Sequence, residues 1–329
     1  MPRVYASAGY AASLGHIGAP IELEHGRGWV LERTIPDTSL ADAIGCYPLF
    51  SCQRWSQLGD DLPVLARRGL VSVSLVADAF AGLPAAVDSW FEVRRPFKRH
   101  CVADLALGPE RIASQHHRYE ARKALRLLEV DVCWRPANHL AEWCALYACL
   151  VARHRISGAR LFPDAAFRAL FAIEGVALMR AGLDGKTVGA QILVLQADVA
   201  HAHLAAFSDA GYRLGASYAL DWVALHAMRE HARWIDWGGP SGAARGDGLA
   251  RYKKGWASGT RATWLLGAVL DRAAFRSLTG THPVSDYCPP YRDGEFRSSA
   301  RADGTADADG GLRPGTAGAG GLSAPCART

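Results

Sequence analysis

The chain has eight cysteines but no Cys-x-x-Cys pair and no regular ladder of cysteine spacings. That pattern argues against a zinc ribbon or a disulfide framework, and reduced thiols are the expectation. No run of eighteen or more apolar residues occurs, so no membrane-spanning helix is expected. The opening MPRVYASAGYAASLGHIGAPIELEHG lacks a charged start followed by an apolar core, so no signal peptide is expected and a cytoplasmic location is the simpler reading. Charge of one sign is not dominant either. With 37 Lys and Arg against 32 Asp and Glu, the formal charge is +5. This suits anionic ligands such as phosphates but does not by itself argue for nucleic acid.

What is present is apolar material in quantity. Half of the 329 residues are hydrophobic and 21% are charged, which allows a sizeable core. The length suggests about two domains. From Pro283 the composition shifts to Gly, Ala, Asp, Ser and Pro with few large apolar residues. Such a stretch cannot bury enough surface to offset its ordering entropy, so residues 283–329 are expected to be a disordered tail. The body divides near residue 128, giving expected units of 1–128 and 129–282.

The second unit is the clearer. EVDVCW alternates as a strand, and HLAEWCALYACLVARHR places Leu140, Trp143, Tyr147 and Val151 at helical spacing. Pro163 opens a short helix. GVALMRAGL and TVGAQILVLQ flank Asp184-Gly185, a hairpin signal. VAHAHLAAF is a strand, the turn SDAGYRLG follows, and a helix begins at Ala216. WIDWGG is a short strand, GLARYKKGW a short helix and TRATWLLGAVL a strand. In the first unit GWVLERTI, LVSVSLVADAF and FKRHCVADL read as strands. QRWSQLGDDLPVLARRG and PERIASQHHRYEARKALRLL read as helices.

Several side chains in this pattern could carry chemistry. His201 and His203 share one face of a strand, and an imidazole titrates near neutrality, so either could accept a proton. Asp236 is the alternative acceptor, or a strand-end carboxylate satisfied by backbone N–H groups. Arg118, Arg122 and Arg126 lie at i, i+4 and i+8 and could grip an anion, touch RNA, or form a solvated basic face. His116 and His117 point different ways on a helix, so no metal site is read there. The glycine turn before Ala216 can serve a phosphate. First-turn N–H groups lack partners, the helix dipole favours an anion, and glycine admits close approach. It can equally be a simple turn.

HAHLAAFSDAGYRLGASYALDWVALHAM, WIDWGG and GLARYKKGW occur in an order and spacing that resemble the GNAT acyltransferase fold. The resemblance is to the branch of Fem-type peptidoglycan-bridge aminoacyltransferases and their acetyltransferase-like relatives. It covers most of residues 130–280 and implies an α/β (α+β) chain of two tandem GNAT-like halves. It also implies an acyl-CoA co-substrate, acetyl-CoA first among them, with no metal. The donor would lie against Leu204 and Ala206 and on Arg213-Leu214-Gly215-Ala216, with Tyr252 near its nucleotide. The family pattern Arg/Gln-x-x-Gly-x-Gly/Ala is compressed here to Arg-x-Gly-Ala. His203 matches a histidine of the branch and, with Asp236, is a catalytic candidate. Lys253 would support the developing oxyanion. His117, Arg118, Arg122, Trp237 and Gly238 would face an amine-bearing acceptor. Three functions stand open: acyl-CoA-dependent N-acyltransferase, aminoacyl-tRNA-dependent transferase, and a binding protein that kept the fold. The coiled-coil insertion of Fem enzymes that act on lipid-linked precursors is not evident, which weighs against the tRNA donor.

Overall fold

Alternating and continuous apolar runs assemble into one mixed sheet of eleven strands in the computed structural model, which describes residues 1–239, 248–280, 287–293 and 295. The strands are β1 (Ala19–Leu23), β2 (Gly28–Thr34), β3 (Ala41–Gly45), β4 (Leu70–Ala77), β5 (Val93–Asp104) and β6 (Glu129–Cys133). They continue as β7 (Val176–Leu183), β8 (Lys186–Gln196), β9 (Val199–Phe207), β10 (Trp234–Asp236) and β11 (Gly259–Val269). Their order across the sheet is β1-β2-β3-β4-β11-β5-β10-β9-β8-β7-β6. The helices used below are α1 (Ala8–Ser13), α2 (Leu58–Arg67), α3 (Gln115–Ala124), α4 (Leu140–His154), α5 (Asp164–Phe171), α6 (Asp209–Arg213), α7 (Ala216–Ala227) and α8 (Gly248–Lys254).

Strands β7 and β8 are largely apolar, broken inside by Arg180 and Gln191, because both of their faces are covered. Ala177, Met179, Leu193 and Leu195 pack with Ala216, Leu220 and Ala224 of α7. The alternate residues Val176, Leu178, Ile192 and Val194 pack with Trp143 of α4, Phe167 of α5 and Tyr5. The Asp184-Gly185 turn has positive φ at both residues, 49° and 75°, as a two-residue hairpin of this type requires.

The two halves share a plan. Each runs through antiparallel strands into one parallel pair, β3 with β4 and β9 with β10. They are also interlocked. Strand β11 from the end of the chain lies between β4 and β5, and β5 from the first half pairs with β10 of the second.

Two helical stretches differ from the sequence reading. The run from Pro109 is broken at Ala113 and restarts at α3, because the Ser114 hydroxyl accepts the His117 N–H and caps a new helix. The turn before Ala216 contains the short helix α6, capped by Ser208 in the same way through the Gly211 N–H. None of the seven cysteines among the described residues is in a disulfide. No described helix is long and apolar enough to cross a membrane.

Part of the compositionally distinct C-terminal stretch docks on the first half. The Arg292 guanidinium donates to both oxygens of Asp42 at 2.7 and 2.8 Å and to the Thr34 carbonyl at 2.9 Å. Asp42 has no exposed surface, and Tyr291 bonds Ser72 at 2.7 Å. Residues 296–329 lie outside the described residues. Removing one partner of a buried ion pair strands the other, and Arg33 remains 3.5 Å from Asp42 to soften the loss. Arg292→Ala is expected to destabilise the protein by about 3 kcal/mol. Urea unfolding checks this, and an unchanged midpoint would contradict the docking.

Candidate active site

The site begins where two parallel strands part. β10 pairs with β9 only from Trp234↔Val199 to Asp236↔His201. Just past that point β9 carries a bulge, with Ile192 opposite Leu204 and Leu193 opposite Ala202, so His203 is the extra residue. A bulge shifts the side-chain alternation and leaves one residue out of the ladder. His201, Ala202, His203 and Leu204 consequently all line one cavity of about 600 Å³. Its other walls come from both halves, among them Tyr5, Tyr47, Val76, His100, Leu265 and Lys253.

A buried ionic network lies under the cavity. Asp236 sits at the end of β10 with 2% of its surface exposed. Its carboxylate accepts His100 Nδ1–H at 2.8 and 3.0 Å and the Gly238 N–H at 2.7 Å. His201 Nδ1 is 3.5 Å from Asp236, and its Nε2 is 3.7 Å from Asp78. Burial pushes the Asp236 carboxyl up, but His100 and His201 reverse this and hold it well below the usual carboxylate range. Burial pulls His201 down, and Asp78 and Asp236 more than reverse that, so its pKa lies above the ordinary value. Burial raises Asp78 against the pull of His201. Ligand atoms of Asp78, His201 and Asp236 lie within 4.8 Å of one another. The two ring nitrogens of His201 nevertheless face different carboxylates, as an imidazolium between two anions does.

His203 differs from His201. Its Nδ1 meets the Tyr5 hydroxyl at 3.1 Å, and burial, with His201 adding to it, lowers its pKa to about 4. Lys253 projects from α8 into the cavity and donates to the Gly239 carbonyl at 2.9 Å. Burial lowers its pKa, with Asp236 acting against that. Gly238 has φ +77°, and a Cβ there would lie 3.0 Å from Lys253 Nζ, so the lysine and any side chain at 238 compete for space.

Among the residues singled out from the sequence, His203, Leu204, Asp236, Gly238 and Lys253 meet at this cavity. The others lie elsewhere. Ala206 has no exposed surface and belongs to the core shared with α4. Trp237 is core as well, its indole N–H donating to the Trp256 carbonyl at 2.7 Å. Arg213, Leu214, Gly215 and Ala216 form the α6–α7 junction and do not line the cavity. Arg213 is exposed, Gly215 has φ +69°, and Ala216 is buried. Within α7 bonding starts with Tyr218 N–H to Gly215 O, so the Ala216 and Ser217 amides precede it. Tyr252 donates its hydroxyl to Asp221 at 2.6 Å. Burial pushes Asp221 up to about 7. His117 bonds Ser114 Oγ and donates to the Tyr252 carbonyl at 2.9 Å, which ties α3 to α8. Arg118 donates to the Glu110 carbonyl at 2.7 Å, and Arg122 is exposed on α3.

The sequence reading missed three residues of the site. His100 lay in FKRHCVADL, read as a strand, and it is the first buried residue of β5 after a run of exposed ones. Asp78 closes the apolar run LVSVSLVA, where a carboxylate needs a partner, but that partner is His201, far along the chain. Tyr5 had no local signal.

Residues 113–254 match the family model described as Acetyltransferase (GNAT) domain. The crystal structure of FemX superposes with a TM-score of 0.64 at 12% identity, covering 82% of this chain and 93% of that one. A C-terminal domain assigned to a lysylphosphatidylglycerol synthetase of Agrobacterium fabrum gives 0.60 at 13% identity, over 82% of this chain and 90% of its own. L-PGS from Bacillus licheniformis gives 0.55 at 12% identity, over 83% and 95%. No curated protein matches the sequence. Residues 113–254 thus resemble a GNAT domain, and the described chain shares the fold of these three solved structures.

His201, with its folded pKa raised, adds stability that is complete below about 6.5 and fades as pH rises through its folded value. Asp236, with its folded pKa depressed, adds stability that is complete above about 3.9 and fades as pH falls through its folded value. The stability gap between wild type and Asp236→Asn is therefore expected to be widest from roughly pH 4 to pH 6.5. Urea unfolding of both proteins across that range and beyond measures it. A gap independent of pH would contradict the charge assignment.

Proposed function

We propose that the chain is an N-acyltransferase that moves an acyl group from an acyl-CoA, acetyl-CoA first among them, to an amine held in the cavity. The observation that carries this reading is the convergence of His203, Leu204, Asp236, Gly238 and Lys253 on one enclosed space where β9 and β10 part. Transfer to an amine passes through a tetrahedral oxyanion. The Lys253 ammonium, partly withdrawn from water, is a donor that such a charge finds already in place. The donor's pyrophosphate would rest on the free amides at the start of α7, with Arg213 beside it. From Phe207 back to Leu204 is about 10 Å of strand, a span suited to a thioester on a long flexible arm. The division into 1–128 and 129–282 belongs to this reading, with the donor on the second unit and the acceptor between the two.

An aminoacyl-tRNA donor is the second reading, favoured by the exposed Arg122 and Lys123 on α3. It calls for tRNA retention that weakens steeply with salt.

Calorimetry with acetyl-CoA and coenzyme A tests the first reading. Binding is expected for the wild type and weaker binding for Arg213→Glu. Lys253→Met is expected to lower kcat by about 10²–10³ with little change in donor affinity. No heat with any acyl-CoA, together with a salt-sensitive shift on charged tRNA, would favour the second reading.

A further inference from the structure

Acyl transfer to an amine leaves a proton to be removed, and none of the three acceptors named from the sequence is free to take it. His201 is 2% exposed, with its two ring nitrogens facing Asp236 and Asp78. The Nδ1 of His203 is engaged by Tyr5, and burial keeps the ring a weak base. The oxygens of Asp236 are filled by His100, His201 and the Gly238 amide. The geometry points to His100 as the general base of the transfer, with Asp236 as its positioning residue; this rests on the acyl-transfer reading above.

His100 donates Nδ1–H to Asp236, so its lone pair is on Nε2, at the opposite edge of the ring. No hydrogen bond reaches Nε2 among the described residues, and His100 lines the cavity with 8% of its surface exposed. Gly239 keeps that edge uncovered, because a Cβ there would lie 3.1 Å from His100 Cδ2, the carbon bonded to Nε2. Asp236 cannot turn away, since the Gly238 amide and His201 hold it from two other sides. A base whose tautomer and orientation are fixed by a buried carboxylate is the arrangement general-base catalysis needs.

The charges around His100 come from every neighbouring element. Asp236 faces it from β10, His201 from β9, Asp78 from beyond β4 and Lys253 from α8. Lys98 precedes it on β5. Arg261 lies opposite it on β11, seated over the Phe80 and Trp234 rings at 4.4 and 4.7 Å. The two carboxylates stabilise the imidazolium that forms, while Lys253 faces the oxyanion.

The step balances. The free amine nitrogen attacks the thioester carbon and the new C–N bond forms. The departing N–H proton passes to His100 Nε2, and the oxyanion is held by Lys253. Collapse of the intermediate breaks the C–S bond, and the leaving thiolate takes the proton from His100. The products are the amide and free CoA thiol, with His100 neutral again.

The test is release of CoA thiol from acetyl-CoA with a panel of primary amines, followed across pH. His100→Gln is expected to lower kcat at least about 100-fold, to remove the acidic limb of the kcat/KM profile, and to leave acetyl-CoA affinity within about twofold. Asp236→Asn is expected to lower kcat and displace the same limb, which a purely structural carboxylate would leave in place. A folded His100→Gln protein with the wild-type profile overturns the assignment. If that variant does not fold, diethyl pyrocarbonate labelling of the wild type decides. Activity lost in step with labelling of His100 supports the assignment, and activity lost while His100 stays unlabelled overturns it. A wild type that releases no thiol with any amine overturns the acyl-transfer reading itself, and this assignment with it.

Discussion

A carboxylate held in its charged form inside the protein is the constraint around which this molecule is arranged. Asp236 ends a three-residue strand, and three groups meet its oxygens. Each comes from a different place: β5 supplies His100, β9 supplies His201, and the turn after β10 supplies an amide. An isolated buried carboxylate would be strongly unfavourable, so those elements must arrive together. The parallel pairing of β9 and β10 fixes the register that sets Asp236 beside His201. The antiparallel pairing of β10 with β5 brings His100 across from the other half. The cavity opens above this point because the same two parallel strands stop pairing there.

Much of the second half was legible because its signals are local. The apolar runs of β7 and β8, the Asp184-Gly185 turn and the heptad-like spacing of α4 each declare themselves within about a dozen residues. The strand β3, sequence ADAIG, was not legible. Alanine and glycine have little strand preference, and its Asp42 is satisfied by Arg292, 250 residues later. A pairing of that kind leaves no trace in any short window.

The candidate site divides along the same line. His203, Asp236 and Lys253 sit on motifs that follow one another in the second half, and the cavity collects them. His100 and Asp78 belong to the first half, where a histidine within a strand and an aspartate after one carry no distinguishing mark. Trp237 illustrates the converse. It stands beside Asp236 in sequence, yet strand alternation turns it to the opposite face, where it bonds Trp256 and belongs to the core.

The exchange of closing strands has a consequence for how such a chain could arise or be taken apart. With β11 between β4 and β5, and β5 against β10, a severed first half would lose the strand that separates its own β4 from its own β5. A severed second half would expose β10 along one whole side. Unprotected edges of that sort recruit foreign strands, including copies of themselves. Two such fragments supplied together would cover each other's edges.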